Sequence, residues 1–201
     1  MLKVRDIKIP GLAPISFELA AGECLGVSGD SGCGKTRLLR AIADMDEVEG
    51  SVCIGELCRP DVSGAEWRKQ VALLPAESQW WFDTVAPHFP EAEVALASLG
   101  FADEVMRWQL SRCSSGEKQR LSILRMLANR PKVLLLDEPT ANLDVENTRK
   151  VEMLVAEYLA ENNAVAIWVS HNRSQLERVV SERYFDFSKA AMVTVKQSTP
   201  S

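Results

Sequence analysis

Apolar positions recur along this chain in two rhythms, and the alternation between them predicts an α/β fold. Short runs at Leu2 to Ile9, Ile15 to Leu19, Glu23 to Ser28 and Val52 to Ile54 read as strands. Val71 to Leu74, Val133 to Leu136 and Val165 to Ser170 are continuous apolar runs, the pattern of strands covered on both faces of a parallel sheet. Helical periods lie between them. Leu38, Leu39 and Ile42 mark a helix from Lys35 to Ala43, and Leu121, Leu124, Leu127 and Ala128 mark one from Ser115 to Asn129. From Val145 to Asn163, Val151, Leu154, Val155, Tyr158 and Leu159 form one stripe, with Glu146, Arg149, Lys150 and Glu157 opposite. Shorter helices are expected at Glu91 to Leu99, Asp103 to Trp108 and Ser174 to Val180, and closing strands at Tyr184 to Phe187 and Ala191 to Val195.

The junction between the third strand and the first long helix carries the strongest chemical signal. Gly29-Asp30-Ser31-Gly32-Cys33-Gly34-Lys35-Thr36 is a glycine-rich loop of the phosphate-cradling kind. Glycines let successive backbone N–H groups and a helix N-terminus converge on one anion, and the helix dipole favours its charge. The loop therefore predicts a nucleoside triphosphate site, with Lys35 reaching the β- and γ-phosphates and the Thr36 hydroxyl offered to Mg²⁺. A second signal follows Val133 to Leu136, where the strand ends in Asp137-Glu138. Carboxylates at the carboxyl end of such a strand sit in the ligand crevice of an open α/β sheet. Asp137 suits Mg²⁺, and Glu138 suits the general base that polarises an attacking water.

The order GDSGCGKT, CSSGEKQR (113–120), VLLLDEPT (133–140), ANLD (141–144) and VSH (169–171) resembles the ATP-binding cassette ATPase family over nearly the whole chain. The resemblance implies a P-loop NTPase core of mainly parallel sheet flanked by helices, an N-terminal antiparallel β portion, and a short helical subdomain at about 77–130. It implies one domain over 1–195 with a polar tail at 196–201. It also implies that Ser114, Ser115 and Gly116 form a signature loop aimed at the γ-phosphate held by a second cassette, that Asp144 reports across that interface, and that His171 is a switch contacting the γ-phosphate. Ser114 with Glu117 also reads as a helix N-cap, and both readings hold together. Cys113 and Ser115 depart from the family's usual Leu and Gly. Ala76 stands where the family has a Gln that touches Mg²⁺, and no aromatic precedes Phe17 to stack on adenine, so base recognition is expected to be weak. The stretch from Ala76 to Cys113 is short for transporters of the family, which implies a reduced lever.

Family members use the segment after this Gln position to receive a membrane subunit. Trp80-Trp81-Phe82 lies there, either as interface anchors or as core of the small subdomain. His88 reads as a loop residue. At 201 residues with 46% apolar and 25% charged positions, the chain has the composition of one soluble globular domain. No 18-residue apolar run occurs, and Met1 to Asp6 lacks the core of a signal peptide. A net charge of −5 without a basic stripe argues against nucleic acid as a partner. Five cysteines without metal spacing suggest a reducing cytosol, with Cys53 and Cys58 as small residues around a strand and turn. The implied function is an ATPase subunit that binds ATP and Mg²⁺, pairs with a second copy and powers a separate transmembrane permease at the inner face of the cell membrane. The alternative is a soluble or regulatory nucleotide switch with slow hydrolysis.

Overall fold

Alternate burial along the first strands builds the smaller of two sheets. The computed structural model describes residues 1–89, 94–180, 183–187, 189 and 191–194. Strand β1 (Leu2–Ile7) buries Leu2, Val4 and Ile7, and β2 (Ile15–Leu19) buries Ile15, Phe17 and Leu19. With β4 (Ser51–Ile54) and β5 (Leu57–Cys58) they form an antiparallel sheet in the order β2-β1-β4-β5. The larger sheet runs β10-β9-β3-β8-β7-β6, with β3 (Cys24–Ser28), β6 (Val71–Leu74), β7 (Val133–Asp137), β8 (Val165–Val169), β9 (Arg183–Asp186) and β10 (Ala191–Thr194). Its pairings are parallel except for β10 against β9.

Every residue of β7 and β8 is buried, because each face of this sheet is covered by a different layer. Val133 and Leu135 join a core with helix α1 (Lys35–Ile42), the small sheet and Trp67 of α2 (Gly64–Gln70). Leu134 and Leu136 face the opposite core, built with α3 (Ser115–Ala128), α4 (Val145–Asn162) and α5 (Arg173–Val179). The period-two alternation of a strand thus serves two cores at once.

Local departures from expectation have local causes. The helices expected at Glu91 to Leu99 and Asp103 to Trp108 are 3-10 turns at Leu96–Leu99 and Asp103–Arg107, while Glu91 to Glu93 lie outside the described residues. Segments this short do not repay helix nucleation, and Gly100 at φ +76° ends the first. Two further 3-10 turns, Ala86–His88 and Leu110–Arg112, leave α3 as the single described α-helix between β6 and β7. Helix α2 has no counterpart in the periodicity reading, although its capping box was legible: the Glu66 N–H donates to Ser63 Oγ, and the Ser63 N–H donates to Glu66 Oε2. Val195 and the tail at 196–201 lie outside the described residues.

Cys53 and Cys58 are not merely small fillers. They sit directly opposite one another in the β4–β5 hairpin and are joined by a disulfide, with a Cα–Cα separation of 4.0 Å. A tight hairpin brings a pair five residues apart into cross-strand register, which spacing without a strand at Leu57–Cys58 did not reveal. The expectation of cysteines outside any disulfide is corrected for this pair. Among the described residues, no helix is long and apolar enough to cross a membrane.

Candidate functional site

The carboxyl ends of β3, β8 and β7 lie side by side and place three motifs together. The Ser170 N–H donates to the Val27 carbonyl, and the Glu138 N–H donates to the Val169 carbonyl, which lines up the ends of all three strands. The loop from Gly29 to Thr36 leaves β3 with φ values of +143°, +79° and +112° at Gly29, Gly32 and Gly34. Space adds to this at Gly29, and at Gly34 the fit is tight. A Cβ on Gly29 would lie 2.8 Å from Phe187 Cβ and 2.9 Å from Cys33 Sγ, and one on Gly34 would lie 3.2 Å from Leu12 Cδ1. Gly34 caps α1, whose own first turn holds no acidic residue, so the positive end of the helix dipole faces the loop. Asp30, Ser31 and Cys33 complete the loop. Lys35 is buried, and its ammonium donates to the Gly29 and Asp30 carbonyls at 2.8 Å each.

Thr36 and Asp137, 101 residues apart, meet here. The Thr36 hydroxyl donates to Asp137 Oδ2 at 2.7 Å. The next residue, Glu138, adopts φ +50°, a left-handed conformation costly for a side chain of this size and typical of functional sites. His171 Nε2 approaches Glu138 Oε1 to 3.3 Å without hydrogen-bond alignment, so that buried oxygen keeps no aligned donor. Burial pushes the Glu138 carboxyl above the usual glutamate range; the His171 ring opposes this and Asp137 reinforces it.

Ser114, Ser115 and Gly116 are not brought to this loop. Ser114 caps α3 in a reciprocal box with Glu117, and Ser114 and Ser115 are exposed. Among the described residues no hydrogen bond joins 113–116 to 29–36. Gly116 packs instead on the loop before α4, where an added Cβ would lie 3.0 Å from the Asn142 carbonyl oxygen. Asp144 caps α4, accepting from the Asn147 N–H at 2.8 Å, and is exposed. Ala76 is exposed, as are Glu77 and Gln79 beside it.

Several polar residues escaped the sequence reading. His88 is buried, not a plain loop residue: its Nε2 accepts from the Trp81 and Phe82 N–H groups at 3.0 Å, leaving Nδ1–H to donate to the Thr84 carbonyl. Trp80 is half-buried under the Arg125 guanidinium, while Trp81 and Phe82 are 65% and 48% exposed. Gln119 donates from a buried amide to the Pro139 carbonyl. Glu152 interrupts the apolar stripe of α4, held by Arg178, Arg149 and Gln175. A polar residue inside an apolar stripe was the one signal available for it.

A glycine loop at a helix N-terminus beside a strand-end carboxylate pair is the architecture of a P-loop nucleoside triphosphatase. The ABC transporter family profile matches residues 12–141, and the chain belongs to that family. It is 33% identical over 187 residues to the probable iron export ATP-binding protein FetA of Escherichia coli K12, covering 85% of this chain and 81% of that one. It is 29% identical over 222 residues to the phosphate import ATP-binding protein PstB of Aeropyrum pernix, covering 92% and 87%. The fold matches the ATP-binding cassette MJ0796, solved as a dimer bound to ADP and Pi, with a TM-score of 0.78 at 21% identity over 98% of this chain and 99% of that one. The chain is an ATP-binding subunit of the ABC type and an ATPase.

Proposed function

We propose that this chain is a single cassette domain over 1–195 that hydrolyses ATP as a homodimer and drives a separate membrane permease from the inner face of the membrane. The Gly29 to Thr36 loop holds the phosphates, and Lys35 exchanges its two backbone carbonyls for β- and γ-phosphate oxygens. Mg²⁺ fits the facing oxygens of Thr36 and Asp137, hard donors of the kind it takes, and would neutralise phosphate charge there. Glu138 orients a water with its buried Oε1, which lacks an aligned donor, and takes its proton as the water oxygen attacks the γ-phosphorus and ADP leaves. His171 steadies Glu138 and contacts the γ-phosphate. Ser114, Ser115 and Gly116 complete the shell from the other chain, because in one chain Ser114 and Ser115 stand exposed at the α3 N-terminus, with Gly116 half-buried beside them. Asp144 meets the same interface.

Ile9, Pro10, Leu12 and Arg37 line a cavity of about 580 Å³ beside the loop, without an aromatic ring. This is where we place the base. Aromatic stacking contributes roughly 1–3 kcal/mol per base, so without it ATP and GTP are expected to bind within about tenfold of each other. Titration with both nucleotides checks this, and an ATP preference of orders of magnitude would contradict it.

The observation that carries the permease reading is the exposed pair Trp81 and Phe82, whose N–H groups His88 holds, with Trp81 lining a groove of about 780 Å³ along edge strand β6. Met45, Arg68, Arg125 and Met126 also line that groove. Exposed aromatics beside a groove that mixes apolar side chains with basic ones suit an amphipathic helix of a membrane partner. Trp81→Ala with Phe82→Ala is expected to release the chain from washed membranes of its host, since a central anchor is worth about 2 kcal/mol or more. Thermal stability and ATPase activity in solution should stay unchanged. Unaltered membrane association, or a destabilised chain, would overturn the docking surface.

A further inference from the structure

The end of β8 and the loop after β7 are tied together by a buried side chain that neither motif contains. Gln175, on the first turn of α5, is 4% exposed and uses its whole amide. Its Oε1 accepts from the Ser170 hydroxyl at 2.9 Å, while its Nε2 donates to Thr140 Oγ1 at 2.8 Å and to Glu152 Oε1 at 3.0 Å. Ser170 in turn accepts from the Asn172 N–H at 3.0 Å, so the turn carrying His171 is closed on this amide. Thr140 immediately precedes the Ala141 to Asp144 loop. Glu152, also buried, fixes the amide from the far side, and Arg178 clamps it with bonds of 3.1 and 2.7 Å. Next to these links, Glu138, His171, Ala141 and Leu143 line a cavity of about 450 Å³, room in which turn and loop could shift separately.

We propose that Gln175 is a positioning residue that locks the Ser170–Asn172 turn to the Thr140–Asp144 loop, so that His171 at the γ-phosphate and Asp144 at the dimer interface move as one unit. Glutamine suits the place for a chemical reason. Glutamate would lose both N–H donors and set a second carboxylate against Glu152, and an apolar residue would strand Ser170, Thr140 and Glu152 together. The inference rests on the roles given above to His171 and Asp144.

Thr140→Val removes only the tie to the loop and leaves the rest of the network intact. It is expected to lower kcat about fivefold to tenfold, with KM for MgATP within about twofold, and Thr140→Ser is expected to restore kcat. A merely structural role would not split kcat from KM or respond to the hydroxyl alone. Ser170→Ala, which also frees the Asn172 N–H, is expected to lower kcat as well, and the double variant to lose less than the product of the two single losses, because both sever the tie through Gln175. Wild-type kcat in Thr140→Val, no rescue by serine, or losses that multiply in the double variant would overturn the lock. His171→Ala separates the two levels. If it is inactive while Thr140→Val is normal, only the lock fails; if it turns over ATP at the wild-type rate, the reading of His171 fails and the lock falls with it.

Discussion

Glu138→Gln is expected to cut steady-state ATP turnover by about 10²–10⁴-fold while leaving ATP binding intact. The variant keeps the side chain's volume and its place at the end of β7, and the phosphates are held by the Gly29 to Thr36 loop. What it removes is the basic oxygen. Nucleotide titration and phosphate release measured on the same preparation check both halves, and turnover near the wild-type rate would exclude Glu138 as the base. The pH dependence follows from the same geometry. The working form is the carboxylate, and burial, opposed by His171 and reinforced by Asp137, raises its pKa above the ordinary 4.5. Activity is therefore expected to fall on acidification with a midpoint above that value. The linked stability has the opposite sign. A raised folded-state pKa means that ionising Glu138 costs stability, a cost absent below the unfolded value and complete above the folded one. At neutral pH the glutamine variant is thus expected to melt no lower than wild type.

Trp67→Ala is expected to destabilise the protein by about 3–5 kcal/mol, the cost of emptying a core site of this size. For a chain of this length the melting temperature should fall by about 6–20 °C. Trp67 is fully buried beneath α1, and its indole N–H donates to the Ile42 carbonyl at 2.9 Å, satisfying a group at the C-terminal end of the helix that begins at Lys35. The variant loses both the packing and that bond. Saturating ATP should recover part of the loss if the folded site survives, because a ligand that binds only the native state raises its stability. Thermal melts with and without nucleotide measure both effects, and a shift of only a degree or two would mean that the pocket collapses without penalty.

What could be read along the chain was whatever the chemistry places within one short segment. Gly29 to Thr36 announces its loop because glycine conformations, a lysine and a hydroxyl must follow one another there. The apolar runs at 133–136 and 165–170 announce buried parallel strands because both faces need cover. The Ser63 and Glu66 capping box is equally local, its two partners three residues apart. The pairings across long separations were decided only by folding, Thr36 against Asp137 and His171 beside Glu138, and so was the cross-strand register that bonds Cys53 to nearby Cys58. His88 and Gln175 look ordinary in sequence because a polar side chain is informative only once its partners are known. Those partners, the N–H groups of Trp81 and Phe82 in one case and Ser170, Thr140 and Glu152 in the other, are set by how strands and turns pack. Sequence by itself determined the local conformations and the hydrophobic faces, since these depend on neighbours a few residues away. The tertiary structure decided which polar groups are buried and what satisfies them, because desolvation has no counterpart in an extended chain.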